Sequence, residues 1–116
     1  MSKFRRLRFS EGETWVINAT LKDSDGVVLD LTNASIEWIV AERPGTAAIV
    51  TASTGNALVS ITDADAGTCA ITVPYASHSD ATPKTYRHEC RVTLDSGEVS
   101  VQFEGPLTVT DSLFVV

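Results

Sequence analysis

The chain has 116 residues, a mass of 12.4 kDa and a formal net charge of −6 at pH 7. Hydrophobic residues at 43% and charged residues at 21% are typical of one globular domain with its own core. No apolar run reaches the roughly 18 residues of a membrane span, no apolar stretch follows the N-terminal arginines as in a secretory signal, and two cysteines are too few for a disulfide scaffold. A multidomain enzyme, a membrane protein and a small disulfide-rich secreted protein are therefore excluded.

The charges are distributed unevenly along the chain. From residue 9 onward, five cations stand against fifteen acids, and such an acidic body repels phosphate, so no nucleic-acid partner is expected. We predict that residues 1–8 are either a basic arm that meets the acidic body of a neighbouring copy or the solvated first strand of the domain. The first eight residues contain no acid and four of the nine cations, Lys3, Arg5, Arg6 and Arg8.

Alternation of apolar and polar side chains recurs along the chain and predicts short strands. The first strand, 13–21, has Trp15 and Ile17 on its inward parity, and an Asp/Gly-rich turn follows it. Segment 35–42 also fits a helical face, but its β-branched and aromatic residues and the following Pro44 favour a strand. The other predicted strands cover residues 27–31, 48–52, 57–62, 68–73, 85–94, 98–103 and 107–110, with 113–116 completing the chain.

The clearest alternation, in residues 85–94, directs Tyr86, His88 and Cys90 inward. Residues 77–84 are predicted to be a loop, and Gly105-Pro106 is predicted to end the preceding strand. The total is about eight short strands, with a turn every 8 to 12 residues and no convincing helix. This spacing predicts an all-β fold, an immunoglobulin-like antiparallel sandwich of seven or eight strands that forms one domain over residues 9–116.

Metal binding is weakly indicated. Cys69, His88 and Cys90 share inward parities, but no C-x-x-C pair accompanies them, and buried cysteine is common as a small hydrophobic residue. We therefore predict free thiols and no metal. The alternating carboxylates in 23–26 and 63–67 lack the downstream acidic ligand of a calcium loop and are explained as hairpin turns.

Catalysis is not predicted, nor is a cofactor. His78 stands beside Ser77, Ser79 and Asp80, but adjacent residues rarely form a catalytic triad, which is a spatial arrangement. The chain has no glycine-rich phosphate loop and no nucleophile elbow. The two tryptophans, at 15 and 38, lie on inward parities and are predicted to be core anchors and not a sugar-binding platform.

The order of these segments resembles a known family. A strand with Trp15, the turn Asp25-Gly26, and segments 30–34, 59–64, 86–92 and 104–109 are similar to the immunoglobulin-like N-terminal domains of phage baseplate upper proteins and related tail proteins. The similarity covers roughly residues 9–109, and Cys90 replaces a core leucine of the family pattern. Baseplate upper proteins continue into a long C-terminal part, whereas this sequence ends at Val116, so we do not expect a receptor-binding role to carry over.

The resemblance implies a non-enzymatic virion structural protein: a tail, baseplate, connector or decoration subunit. Its expected partners are other phage structural proteins and further copies of itself, with no membrane partner. It would reside in the host cytoplasm before assembly and in the virion afterwards. The alternative is a carbohydrate- or receptor-binding module with Tyr75 and Tyr86 as its aromatic platform. The predicted partner-binding residues are Lys3, Arg5, Arg6, Arg8, Phe114 and Val116.

Overall fold

The computed structural model describes residues 3–113, and its regular secondary structure is almost entirely β-strand. The longest helix has four residues, so no helix in the described part of the chain is long and apolar enough to cross a membrane. The elements in chain order are β1 (Leu7–Ser10), β2 (Trp15–Thr20), β3 (Ser35–Ala41), β4 (Val50–Ser53), β5 (Val59–Asp63), β6 (Thr68–Val73), α1 (Tyr75–His78), β7 (Lys84–Thr93) and β8 (Val99–Thr110).

The strands form two sheets. The larger has the order β1-β8-β7-β3-β4 and the smaller has the order β2-β6-β5. All neighbouring strands are antiparallel except β1, which runs parallel to β8 with Leu7 opposite Leu107. The predicted antiparallel sandwich is therefore present, with one parallel strand at its edge.

The core lies between the sheets and is built from the inward parity of each strand. Trp15 and Trp38 are both fully buried, which confirms their prediction as core anchors. In β7 the inward residues Tyr86, His88 and Cys90 are buried, as the alternation predicts. Burial of apolar side chains from both sheets supplies the main stabilising free energy of such a fold.

Three predicted elements differ from the structure. Residues 27–31 form no strand: the predicted turn is present, with the Asp23 carboxylate accepting the N–H groups of Asp25 and Val27, but the return pairing beyond it is limited to an isolated bridge between Lys22 and Val28. The predicted loop after Pro74 begins with the one-turn helix α1. Gly105-Pro106 does not interrupt β8, which pairs with β7 without a break on either side of this dipeptide.

Candidate functional site

The basic N-terminus is part of the larger sheet. Residues 3–10, here called the N-terminal segment, run along the outer edge of β8. Glu104 of β8 donates its backbone N–H to the Lys3 carbonyl (2.9 Å) and accepts the N–H of Arg5 (2.8 Å). Leu7 is buried at the start of β1. The N-terminal segment therefore forms the edge of the larger sheet, and its pairing with β8 is regular only over β1.

The four predicted partner-binding cations of this segment divide into two groups. Arg5 is partly buried: its guanidinium lies 5.1 Å from the Phe103 ring centroid and donates to the carbonyl of Asn18 (3.3 Å) on the smaller sheet. The other three, Lys3, Arg6 and Arg8, are exposed. Arg5 thus anchors the segment, while the other cations remain accessible to a partner.

The ion pairs of the described residues do not involve the N-terminal segment. They join Lys84 to Glu42, Arg87 to Glu104 and Arg91 to Glu89. The other two predicted partner-binding residues, Phe114 and Val116, lie outside the described residues. Partner binding by all six residues stays a prediction.

Gly105 and Pro106 shape the strand on which the segment lies. In a regular parallel ladder, the next N–H after that of Glu104 would come from residue 106 and bond the carbonyl of Arg5. Pro106 has no N–H to give. A Cβ added at Gly105 would lie 2.5 Å from the Arg5 carbonyl oxygen, so only glycine allows this close approach.

His88 supplies the missing donor. Its Nε2 lies 2.7 Å from the Arg5 carbonyl oxygen, and its Nδ1 accepts the indole N–H of Trp38 (3.2 Å). Because a carbonyl only accepts and Trp38 only donates, the ring is neutral with its proton on Nε2. Burial is the main cause that lowers the pKa of His88, and the nearby Arg5 and Arg87 lower it further, while the bond to Arg5 and the Glu104 carboxylate act in the opposite sense.

The second buried histidine is also structural. His78 of α1 bonds the Glu13 carbonyl through Nε2 (2.7 Å), and its ring stacks on Trp15 with centroids 4.0 Å apart. The neighbouring Ser77, Ser79 and Asp80 are exposed and make no hydrogen bond to His78 among the contacts of residues 3–113. The side chains of this loop thus do not assemble a triad around His78.

The thiols of Cys69 and Cys90 are buried and form no disulfide. Burial raises the pKa of Cys69, and it raises the pKa of Cys90 to about 12. Both are therefore protonated at neutral pH and poor nucleophiles or metal ligands. Within residues 3–113, no three His, Cys, Asp or Glu side chains are grouped so that they could hold a metal ion.

The predicted aromatic platform is not formed. Tyr86 is buried, and its hydroxyl donates to the Thr82 carbonyl (2.7 Å), because the start of β7 packs inward at this position. Tyr75 is 38% exposed and contacts the edge of His78. The carbohydrate-binding alternative therefore retains one of its two aromatic side chains.

The sequence matches no protein-family model and no curated protein. Among solved structures, a chicken TCR is similar to this chain with a TM-score of 0.54 and 17% identity, over 98% of this chain and 57% of the TCR chain. Murine CRIg has a TM-score of 0.44 and 8% identity, with 92% of each chain covered. The present chain thus spans little more than half the length of the TCR chain. The first likeness shows the fold, and the predicted immunoglobulin-like sandwich is confirmed.

The position of His88 can be compared with that of a cysteine in antibody domains. In antibody domains, a tyrosine near the start of this strand bonds the backbone a few residues upstream, and two residues later a cysteine forms the disulfide against which a buried tryptophan packs. Tyr86 makes this bond, and two residues later stands His88, bonded to the buried Trp38. This hydrogen bond joins the neighbouring strands β3 and β7 within the larger sheet, whereas the antibody disulfide links the two sheets. Sequence parity predicted that His88 points inward, but gave no sign of its bond to Arg5, 83 residues away.

Proposed function

We propose that this immunoglobulin-like domain is a non-enzymatic structural subunit of a bacteriophage particle, which binds neighbouring subunits through its N-terminal segment. The setting in a tail, baseplate, connector or decoration subunit is supported by the segment order that resembles baseplate upper proteins. The observation that carries the binding role is the exposed set of Lys3, Arg6 and Arg8 on the edge of the larger sheet. Exposed cations at a sheet edge oppose strand pairing with another basic edge and favour contact with an acidic partner surface.

Charge complementarity supports a further copy of the chain as one partner. The loops 22–30, 63–67 and 94–98 meet at one end of the sandwich, where Leu31 bonds the Ala64 carbonyl and a cavity of about 270 Å³ is lined by both the first and the third loop. Lys3 borders the same cavity. These loops carry one cation, Lys22, and seven acids, Asp23, Asp25, Asp30, Asp63, Asp65, Asp95 and Glu98.

This acidic end therefore has a formal charge of −6, equal to that of the whole chain. The cations Arg6 and Arg8 of one copy complement the acidic end of the next. Such a head-to-tail contact generates rings or filaments. Because the charges are exposed, added salt weakens the contact. The electrostatic screening length is about 8 Å at physiological ionic strength.

Incorporation into particles tests the proposal. The triple variant Lys3→Ser/Arg6→Ser/Arg8→Ser removes three exposed cations and leaves Arg5 and the buried Leu7 in place, whereas deletion of residues 1–8 would also remove these contacts. The matched control, Arg43→Ser/Lys84→Ser/Arg91→Ser, changes the net charge equally at other exposed cations. Both variants should keep their unfolding free energy within about 1 kcal/mol.

We expect mass spectrometry of purified phage particles to detect the wild-type chain and the control variant, but little of the N-terminal variant. Incorporation of the N-terminal variant at the wild-type level would contradict binding through this segment. Absence of the wild-type chain from particles would contradict the virion role itself.

A further inference from the structure

His88 joins the hydrophobic core to the N-terminal segment through one ring. Both ring nitrogens are bonded, Nδ1 to the Trp38 indole and Nε2 to the Arg5 carbonyl, and the side chain is only 2% exposed. Because Pro106 cannot donate to this carbonyl, the segment depends on His88 at this position. The arrangement requires the neutral imidazole.

We propose that His88 is a proton-sensitive latch that holds the N-terminal segment on β8 and releases it in mild acid. The inference deepens the proposed function, because it names a regulation of the same binding segment, and it rests on that function only for its biological use. The latch itself can be measured on the isolated chain without any partner.

Protonation opposes the latched arrangement for two reasons. A proton on Nδ1 removes the acceptor of the Trp38 N–H, so two donors then face each other in the core. The new positive charge also lies near two cations, Arg5 of the segment and Arg87 of β7, against one carboxylate, Glu104 of β8. The strand β3 places the uncharged Trp38 and Val40 beside His88.

The sign of the pH effect follows from the two states of the segment. In the docked state, burial lowers the pKa of His88. Release admits water and removes Arg5, so the pKa moves back toward about 6.5, the ordinary value of histidine. The released state then binds the proton more readily, and it gains population as the pH falls below about 6.5. Each full unit between the two pKa values changes the docking equilibrium about tenfold.

Hydrogen exchange of the backbone amides between pH 7.5 and pH 5, corrected for the intrinsic pH dependence of exchange, tests the latch. We expect residues 3–10 of the wild-type chain to lose protection as the pH falls, while β2 and β6 keep theirs. In the matched variant His88→Gln, the carboxamide keeps a donor and an acceptor but does not titrate, so its protection should not change. As a reference for the released state, Gly105→Ala should leave the segment unprotected even at pH 7.5, because the new Cβ meets the Arg5 carbonyl.

Equal loss of protection in the wild type and His88→Gln, or no loss in the wild type, would overturn the proposal. A second measurement on the wild type alone covers the case in which His88→Gln does not fold. NMR titration of the His88 ring should give a midpoint that coincides with the loss of protection of residues 3–10. Two clearly separate midpoints would show that another group controls the segment. These measurements do not depend on particle incorporation. The latch can therefore be disproved while the proposed function stands, and the proposed function can be disproved while the latch stands.

Discussion

The two buried histidines both bond a backbone carbonyl near β1, but their contacts with the core tryptophans differ. Each bonds a backbone carbonyl at 2.7 Å, His88 that of Arg5 before β1 and His78 that of Glu13 after it. His88 also accepts the N–H of Trp38, whereas His78 stacks on Trp15, whose indole N–H is buried with no hydrogen-bond partner among residues 3–113. A polar network therefore holds one end of β1 and an aromatic stack holds the other.

This difference has a physical consequence. A hydrogen-bond network in the core is stable only while every member is paired, so it depends on the protonation and tautomer of its histidine. A stack depends on area and ring orientation and does not use the second ring nitrogen. We therefore expect the His88 end to respond more strongly than the His78 end to substitutions that remove a hydrogen-bonding group.

The largest expected effect is that of His88→Leu. This substitution leaves the Trp38 N–H and the Arg5 carbonyl without their partners in the core, at a cost of about 3 kcal/mol in the free energy of unfolding. The matched His78→Leu leaves one carbonyl unpaired and keeps apolar contact with Trp15, at a cost of about 1–2 kcal/mol. Urea denaturation followed by tryptophan fluorescence measures both. Equal losses would remove the distinction between network and stack.

A smaller effect separates the two tryptophans. Trp38→Phe leaves His88 Nδ1 without its donor, whereas Trp15→Phe removes an N–H that has no partner in the described part of the chain. Since the loss of volume is the same, Trp38→Phe should be the more destabilising by about 1 kcal/mol. The same denaturation experiment gives the comparison. A greater loss for Trp15→Phe would mean that the Trp38–His88 bond contributes little.

Much of the fold was predictable from local pattern. Segment 68–73 is strand β6 without any shift, because alternating β-branched and apolar residues there are bounded by Gly67 and Pro74. The strand interpretation of 35–42 is likewise confirmed by β3. These predictions succeeded because strand parity and turn residues are local properties of the chain.

The remainder depended on tertiary contacts. Gly105-Pro106 was predicted to end a strand because proline lacks an N–H, but in β8 that missing N–H faces the N-terminal segment, where His88 replaces it. Segment 27–31 was predicted to be the return strand of a hairpin; the Asp/Gly turn before it is present, but beyond the turn only the bridge between Lys22 and Val28 forms. The role of His88 could not be predicted, since its partners are distant in sequence. For the exposed cations, sequence showed their clustering but not that Arg5 alone turns inward.

The protonation state of the His88 ring decides whether a neutral histidine links the core to the N-terminal segment. Nitrogen-15 NMR of the histidine rings at pH 7.5 distinguishes the two neutral tautomers and the charged form. We expect a neutral His88 ring with its proton on Nε2 and an unprotonated, hydrogen-bonded Nδ1. A charged ring, or a neutral ring with its proton on Nδ1, would contradict it.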